Sequence, residues 1–318
     1  MKPKEILVFG ATGQIGRHLL RKLAKNNFKL TVVTRNLHRK GYILKSQANA
    51  GWINIIELET FNFEKLNKIF KGKDICINLI GILNEKKKSS FHNIHTELPE
   101  MLAQLSKNNN LKQFVHLSAL GIENALNSKY AQSKFNGENK IKKTFSNFVI
   151  LKPSIIYSVD DNFSTMLMRM LKYLPLFPIY FEGKTNFHPL HVSDMTEIIE
   201  KVIKEEICSE SIECIGPESI TFKEILNKIM ISLDIKRILM PVPYFIAQLM
   251  AKLFEISMRN PLLTSDQLIL LQKNNSPTGK YKTNLELNLN SNIKFFDKEI
   301  LKYSYMWKEN GEFSRKKN

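Results

Sequence analysis

Residues 6 to 16 read Ile-Leu-Val-Phe-Gly-Ala-Thr-Gly-Gln-Ile-Gly, and the amphipathic run Arg17 to Lys25 follows at once. An apolar strand that ends in glycines and opens a helix commits the chain to a strand-turn-helix unit of the nucleotide-binding type. Gly10 permits the tight exit from the strand, Gly13 lets backbone approach a pyrophosphate, and Gly16 lets the helix pack closely on the strand. Thr12, Gln14 and Ile15 complete the turn, whose N–H groups and positive helix end suit an anion.

The alternation continues beyond this unit. Strand-like runs at Glu5–Phe9, Lys29–Thr34, Ile53–Leu58, Asp74–Leu79, Gln113–Leu117 and Phe148–Leu151 alternate with helical stretches. These run to Asn26, from His38, over Phe63–Phe70, near Phe91–Lys107 and near Lys129–Thr144. Such alternation predicts an α/β protein with a Rossmann-type doubly wound parallel sheet. Ligands of these sheets lie beyond the C-terminal strand ends, where Gly10, Arg35, Gly81, Ser118 and Pro153 would converge. After Pro153 the pattern loosens into helices joined by proline-rich turns such as Leu174-Pro175-Leu176-Phe177-Pro178. The expectation is a dinucleotide-binding Rossmann domain over 1–157 and a smaller, mostly helical C-terminal lobe over 158–318. A strand near 211–215 is expected to be able to return to the sheet.

The 318 residues carry a formal charge of +17. Phosphate-rich partners reward clustered positive charge. Here only eight of the 47 basic residues are Arg, and the lysines scatter among asparagines and isoleucines with no basic stripe interleaved with aromatics. That distribution argues against nucleic acid as a partner and leaves contact with an acidic membrane surface or acidic protein open. Cys76, Cys208 and Cys214 are odd in number and form no Cys-X-X-Cys pair, so neither a disulfide frame nor a zinc site is expected. His188 and His191 stand near Asp194, yet no metal is assigned, because Asp194 is expected to cap a helix over Met195–Lys204. Met1 to Glu5 lead straight into the first strand and no apolar run reaches the length of a membrane span. A cytoplasmic location is therefore expected, and peripheral contact at the inner face of the cytoplasmic membrane stays open.

An NAD-specific site places an Asp or Glu at the end of the second strand, whereas this chain has Val33-Thr34-Arg35-Asn36 there. Arg35, with Arg39 or Arg17 nearby, instead suits the charged hydrogen bonds of a 2′-phosphate, which favours NADP(H) over NAD(H). Further on, Tyr130 and Lys134 lie one helical turn apart on one face. An ammonium beside a phenol favours the phenolate, and the same ammonium can bond nicotinamide ribose hydroxyls. The strand-end hydroxyl is Ser118, twelve residues before Tyr130, and the segment Ala119 to Asn127 between them is short for a substrate-shaping loop. Ser118 either touches the nicotinamide or ends the strand. The pair can thus act as general acid/base and partner, or hold a cofactor without turning it over.

Tyr130-X-X-X-Lys134 is the reactive motif of the short-chain dehydrogenase/reductase superfamily, and the turn at Gly10 resembles that of its extended and atypical members. Asp74 to Gly81, Phe114 to Gly121, Tyr130 to Glu138, Leu151 to Tyr157, Phe187 to Met195 and Leu239 to Pro243 are similar, in this order, to one atypical group. That group contains the NADPH-binding accessory subunit of respiratory complex I (NADH:ubiquinone oxidoreductase) and its bacterial relatives. The resemblance implies nucleotide contacts at Leu79, Gly81, Pro153 and Ile155, a cofactor that is structural, and complex I subunits as partners. It also implies a role in assembly or stability of that complex or in quinone metabolism; the alternative is a working reductase, epimerase or dehydratase. Ser158 departs from the glycine of the group's Ile-Tyr-Gly turn. From Tyr244 to Met258, Phe245, Ile246, Leu249, Met250, Leu253 and Phe254 form a broad apolar stripe at helical spacing between Pro243 and Pro261. It reads first as a core helix, and second as a partner or membrane contact.

Overall fold

The computed structural model describes residues 3–86, 89–258, 261–308 and 311–313. The chain forms two units: Met1–Pro153 with Met195–Cys214 and Gly279–Asn290, and Ser154–Asp194 with Ile215–Thr278 and Ser291–Asn318.

The first unit is built on strands β1 (Glu5–Phe9), β2 (Lys29–Thr34), β3 (Ile53–Glu57), β4 (Ile75–Asn78), β5 (Gln113–Leu117) and β6 (Phe148–Pro153). Their order is β6-β5-β4-β1-β2-β3, with Glu210–Cys214 added beside β6, and every pairing is parallel. Helices cover both faces of such a sheet, which explains why β1 and β4 read as unbroken apolar runs. Helix α1 (Gln14–Lys25) buries Leu19, Leu20 and Leu23. Helices α2 (Leu37–Lys45), α3 (Phe63–Phe70), α4 (Leu98–Asn108) and α5 (Lys129–Thr144) complete the crossovers. Leu7, Phe9, Phe70, Cys76, Leu102 and Phe114 form the centre of one core cluster. The first unit thus takes residues 195–214 and 279–290, which a division at 157/158 assigns to the C-terminal lobe. Pairing of Glu210–Cys214 along β6 and the bond from Glu213 N–H to Lys282 O (3.0 Å) draw these segments in.

The single helix expected over Phe91–Lys107 is a π-helical stretch, His92–Glu97, that continues into α4. Pro99 is the cause. Its ring crowds the carbonyl four residues back and it has no N–H to give, so the His95 carbonyl loses its α-helical donor. Leu98 N–H reaches to Asn93 O, five residues back.

The second unit has its own core, with Tyr157, Leu167, Met168, Phe177, Ile225, Ile229, Phe296 and Ile300 at its centre. The stretch Leu174–Pro178, read as a turn, supplies a strand instead: Leu176–Tyr180 pairs in parallel with Ile238–Val242. Each contains a proline, which a two-stranded sheet tolerates because each strand needs donors on one side only. The helix expected over Met195–Lys204 begins at Val192, and Asp194 lies in its first turn, accepting from the Lys294 N–H at 3.0 Å. The helix Tyr244–Ser257 buries Ala247 and Ala251, while Phe245, Leu249 and Leu253 face outward.

Candidate functional site

Gly10 leaves β1 at φ +80°, and a Cβ there would stand 2.8 Å from the Leu79 carbonyl carbon. Only glycine fits, on both backbone and contact grounds. Gly13 closes the turn with its N–H on Gly10 O at 3.0 Å and stands at the N-cap of α1 without any side-chain cap. Gly16 is held by the turn itself rather than by the strand, since its Cβ would meet Ala11 Cα at 2.4 Å. Thr12 stands in the turn, and Gln14 and Ile15 open α1, which carries no acidic residue in its first turn. The turn therefore presents backbone N–H groups at an uncapped helix start, the arrangement that suits an anion.

Arg35 and Arg39 are exposed just beyond β2, and among the described residues neither guanidinium makes an ion pair. Asn36 caps α2 by accepting from Arg39 N–H at 2.9 Å. Glu57, paired in register with Thr34 on the neighbouring strand, accepts from Leu37 N–H at 2.7 Å.

Leu79 follows β4 with its N–H on Phe9 O. A Cβ on Gly81 would stand 3.9 Å from both His95 Nε2 and Lys134 Nζ, so bare backbone lines this wall. The π-helical stretch aims His95 inward. Its Nε2 accepts from Ile82 N–H at 3.1 Å, so Nδ1 carries the proton and donates to Ser133 Oγ at 3.0 Å. Burial, with the Lys134 charge adding to it, lowers the His95 pKa to about 3, which keeps the ring neutral. Its carbonyl lies so close to α5 that a Cβ on Gly137 would be 1.9 Å away.

Tyr130 is flanked edge-to-face by Phe91 and His95, with ring centroids at 5.8 and 5.3 Å. Lys134 Nζ lies 5.6 Å from the Tyr130 ring centroid and donates to Leu117 O at 3.2 Å. Burial lowers the ammonium's pKa to about 8; Glu138 opposes the shift and Lys152 reinforces it. Ser118 donates to Glu138 Oε1 at 2.5 Å, so its hydroxyl points into a buried charge cluster. Lys152, on β6, has no exposed surface and donates to Glu138 Oε1 (2.7 Å) and Oε2 (2.9 Å) and to Glu123 Oε1 (2.5 Å). Pro153 ends β6 and accepts from Leu120 N–H. Ile155 belongs to the second unit, where its carbonyl accepts from Leu190 N–H.

The sequence reading missed His95, Gly137, Glu138, Lys152 and Glu123. One signal was available, because Tyr130, Lys134 and Glu138 recur every fourth residue on α5, and a lysine inside the apolar run Phe148–Leu151-Lys152 demands a buried anion.

A family model described as NAD(P)H-binding matches residues 10–168, half of the chain. The mitochondrial 40 kDa subunit of NADH-ubiquinone oxidoreductase from Neurospora crassa is 24% identical over 262 residues, 82% of this chain and 68% of that protein. Subunit 9 of the mitochondrial NADH dehydrogenase (ubiquinone) 1 alpha subcomplex of Mus musculus is 25% identical over 82% of this chain and 70% of its own. Among solved structures, the dTDP-glucose 4,6-dehydratase DesIV of Streptomyces venezuelae, with NAD bound, superposes with a TM-score of 0.67 over 95% of this chain and 96% of its own. At 14% identity this is a likeness of fold.

Proposed function

Because the chain belongs to the NAD(P)H-binding family, we propose that it holds NADP(H) chiefly as a structural ligand. Its role on this reading is in the assembly or stability of NADH:ubiquinone oxidoreductase, the complex named for its mitochondrial relatives. The glycine turn supports the nucleotide, since Cβ atoms at Gly10 and Gly16 would collide with backbone and the N-terminal N–H groups of α1 have no side-chain cap. Gly10, Thr12, Gly13, Gln14, Ile15 and Gly16 take the pyrophosphate. Leu79, Gly81 and Pro153 contribute backbone and apolar contacts, and Lys134 donates to ribose hydroxyls. Arg35 and Arg39 take the 2′-phosphate.

The observation that carries the structural reading is the Ser118 hydroxyl. It donates to Glu138 inside a cluster of buried charges, so the hydroxyl that would polarise a substrate carbonyl is already engaged. A bound nicotinamide can give or accept a hydride, but an acceptor also needs a polarising donor in place. The second reading, an active reductase, epimerase or dehydratase, draws on Tyr130 and Lys134, whose phenol and ammonium keep the spacing of acid/base chemistry.

Native purification at endogenous level tests the first reading. Bound NADPH together with subunits of NADH:ubiquinone oxidoreductase is the expected outcome; a lone protein that oxidises NADPH with a small carbonyl overturns it. Tyr130→Phe leaves fold, nucleotide and partner intact in the structural case and abolishes turnover in the enzymatic one. Arg35→Glu weakens NADPH more than NADH; equal loss for both refutes the phosphate role. At a thousandfold excess over Kd the nucleotide adds about 4 kcal/mol to the stability of the folded chain.

A further inference from the structure

The helix Tyr244–Ser257 inverts the usual arrangement of a surface helix. Its buried side is made of small residues, Ala247 and Ala251, which pack with Leu263 and Leu268. Its outward side carries Phe245 (71% exposed), Leu249 (60%), Leu253 (56%) and Ile256 (85%). These positions, i, i+4, i+8 and i+11, fall on one stripe. A helix that is apolar on all sides is ordinarily buried on all sides. Here half of that surface faces water, and contiguous exposure of this kind marks a contact site.

We propose that this helix docks the second unit onto an anionic lipid-bilayer surface, lying in the plane of the interface with Phe245, Leu249, Leu253 and Ile256 inserted among the acyl chains. Charge selects this occupant. Between residues 234 and 262 the sequence has four basic residues, Lys236, Arg237, Lys252 and Arg259, and two acidic residues, Asp234 and Glu255, and the Arg237 guanidinium is held by the carbonyls of Leu171, Lys172 and Lys236. The Glu255 carboxylate is tied to Ser265, at 2.7 Å from its N–H and 3.3 Å from its hydroxyl. Lys252 is exposed beside the stripe and Lys236 is exposed before it. A protein groove presents a polar rim of both signs, whereas an apolar stripe flanked by cations matches acyl chains beneath anionic headgroups.

The helix's first turn adds a second feature. Tyr244 and Ala247 line a cavity of about 290 Å³ with Tyr180, Phe181, Pro241 and Pro243. Its carboxylate, Glu182, is paired with Lys184 at the surface. Among the described residues no helix is long and apolar enough to cross a membrane, so the contact lies on the surface.

The test uses the full chain with NADPH and vesicles of phosphatidylcholine, alone or mixed with phosphatidylglycerol. Wild type should sediment with the mixed vesicles. Leu249→Gln/Leu253→Gln should lower that partition at least about tenfold, with unchanged circular dichroism because both side chains already face water. Lys236→Glu and Lys252→Glu should each lower binding to mixed vesicles about fivefold or more while leaving residual binding to phosphatidylcholine unchanged. Failure of wild type to sediment, retention by the double glutamine variant, or a dimer in vesicle-free buffer that this variant dissociates would each overturn the proposal. NADPH affinity measured on the same samples reports on the nucleotide separately, so the two readings fail independently.

Discussion

Replacing Lys152 by Met would remove the ammonium that bonds two carboxylates, Glu138 and Glu123, inside the first unit. Lys152 is fully enclosed, and its ammonium bonds Glu138 twice, at 2.7 and 2.9 Å, and Glu123 once, at 2.5 Å. Glu138 is 1% exposed, and Glu123 Oε2 is buried without a hydrogen bond. Taking one partner from a buried ion cluster costs about 3–5 kcal/mol, because the remaining charge keeps its desolvation penalty. With an m-value near 3 kcal/mol/M for a large chain in urea, 4 kcal/mol moves the midpoint by roughly 1.3 M. Trp52 reports on the first unit and Trp307 on the second. A Trp307→Phe background therefore isolates the relevant fluorescence transition.

The pH dependence of that loss has a definite sign. Burial lowers the Lys152 pKa, but Glu138 and Glu123 outweigh it, and the net shift is upward. A base with a raised folded pKa contributes its stability fully below its unfolded pKa near 10.5, so the wild-type contribution is constant from pH 5 to 8. That contribution is lost only as pH rises above 10.5 through the raised folded pKa. A midpoint shift under about 0.3 M at pH 7.5 would refute the charge argument. Glu138→Gln in the Lys152→Met background should recover part of the loss, and the cycle should show non-additivity above about 1 kcal/mol.

Gly137→Ala should destabilise the first unit by about 1–3 kcal/mol or more, since its Cβ would meet a backbone carbonyl at 1.9 Å; urea midpoints measure it, and a neutral result would mean that the π-helical stretch moves freely. Lys134→Met should raise the stability of the nucleotide-free chain at pH 7 by up to about 3 kcal/mol while weakening nucleotide binding. The sign follows from a folded pKa depressed to about 8 by burial: below that pH the fold carries the full cost of a buried cation, and stability recovers as pH rises from 8 toward 10.5. NADPH affinity of wild type should fall as pH rises through 8, a slope that calorimetric titration reads and that Lys134→Met should flatten.

The parallel sheet was legible because its strands are apolar on both faces and its glycine turn admits one geometry. Pro99 was visible too, but a periodicity argument that counts apolar positions treats π and α turns alike, so the inward aim of His95 was not. The anion that the buried lysine on β6 demands was hidden for a different reason. The lysine's partners Glu123 and Glu138 come from elements brought together only by the tertiary fold, and no local spacing connects all three. The stripe at Phe245 to Phe254 had the right period and an unexpected direction. Spacing states that a face exists, while the small residues Ala247 and Ala251 decide which side turns inward.

The discontinuity of the first unit has a consequence for synthesis on the ribosome. The sheet's sixth strand ends at Pro153, but the strand that covers its edge ends at Cys214, 61 residues later (214 − 153), and the segment beside that strand ends at Asn290. At about 5–20 residues per second, β6 waits roughly 3–12 s as an open edge, and the first unit is not complete until about 7–27 s after Pro153 emerges. During that interval Val149, Ile150 and Leu151, all fully buried in the finished protein, are an unpaired apolar strand of the kind that templates aggregation. Slow translation of the middle of the message would lengthen this exposure, so yield in a foreign host should depend on codon choice between positions 153 and 214 and on chaperones that shield nascent strands.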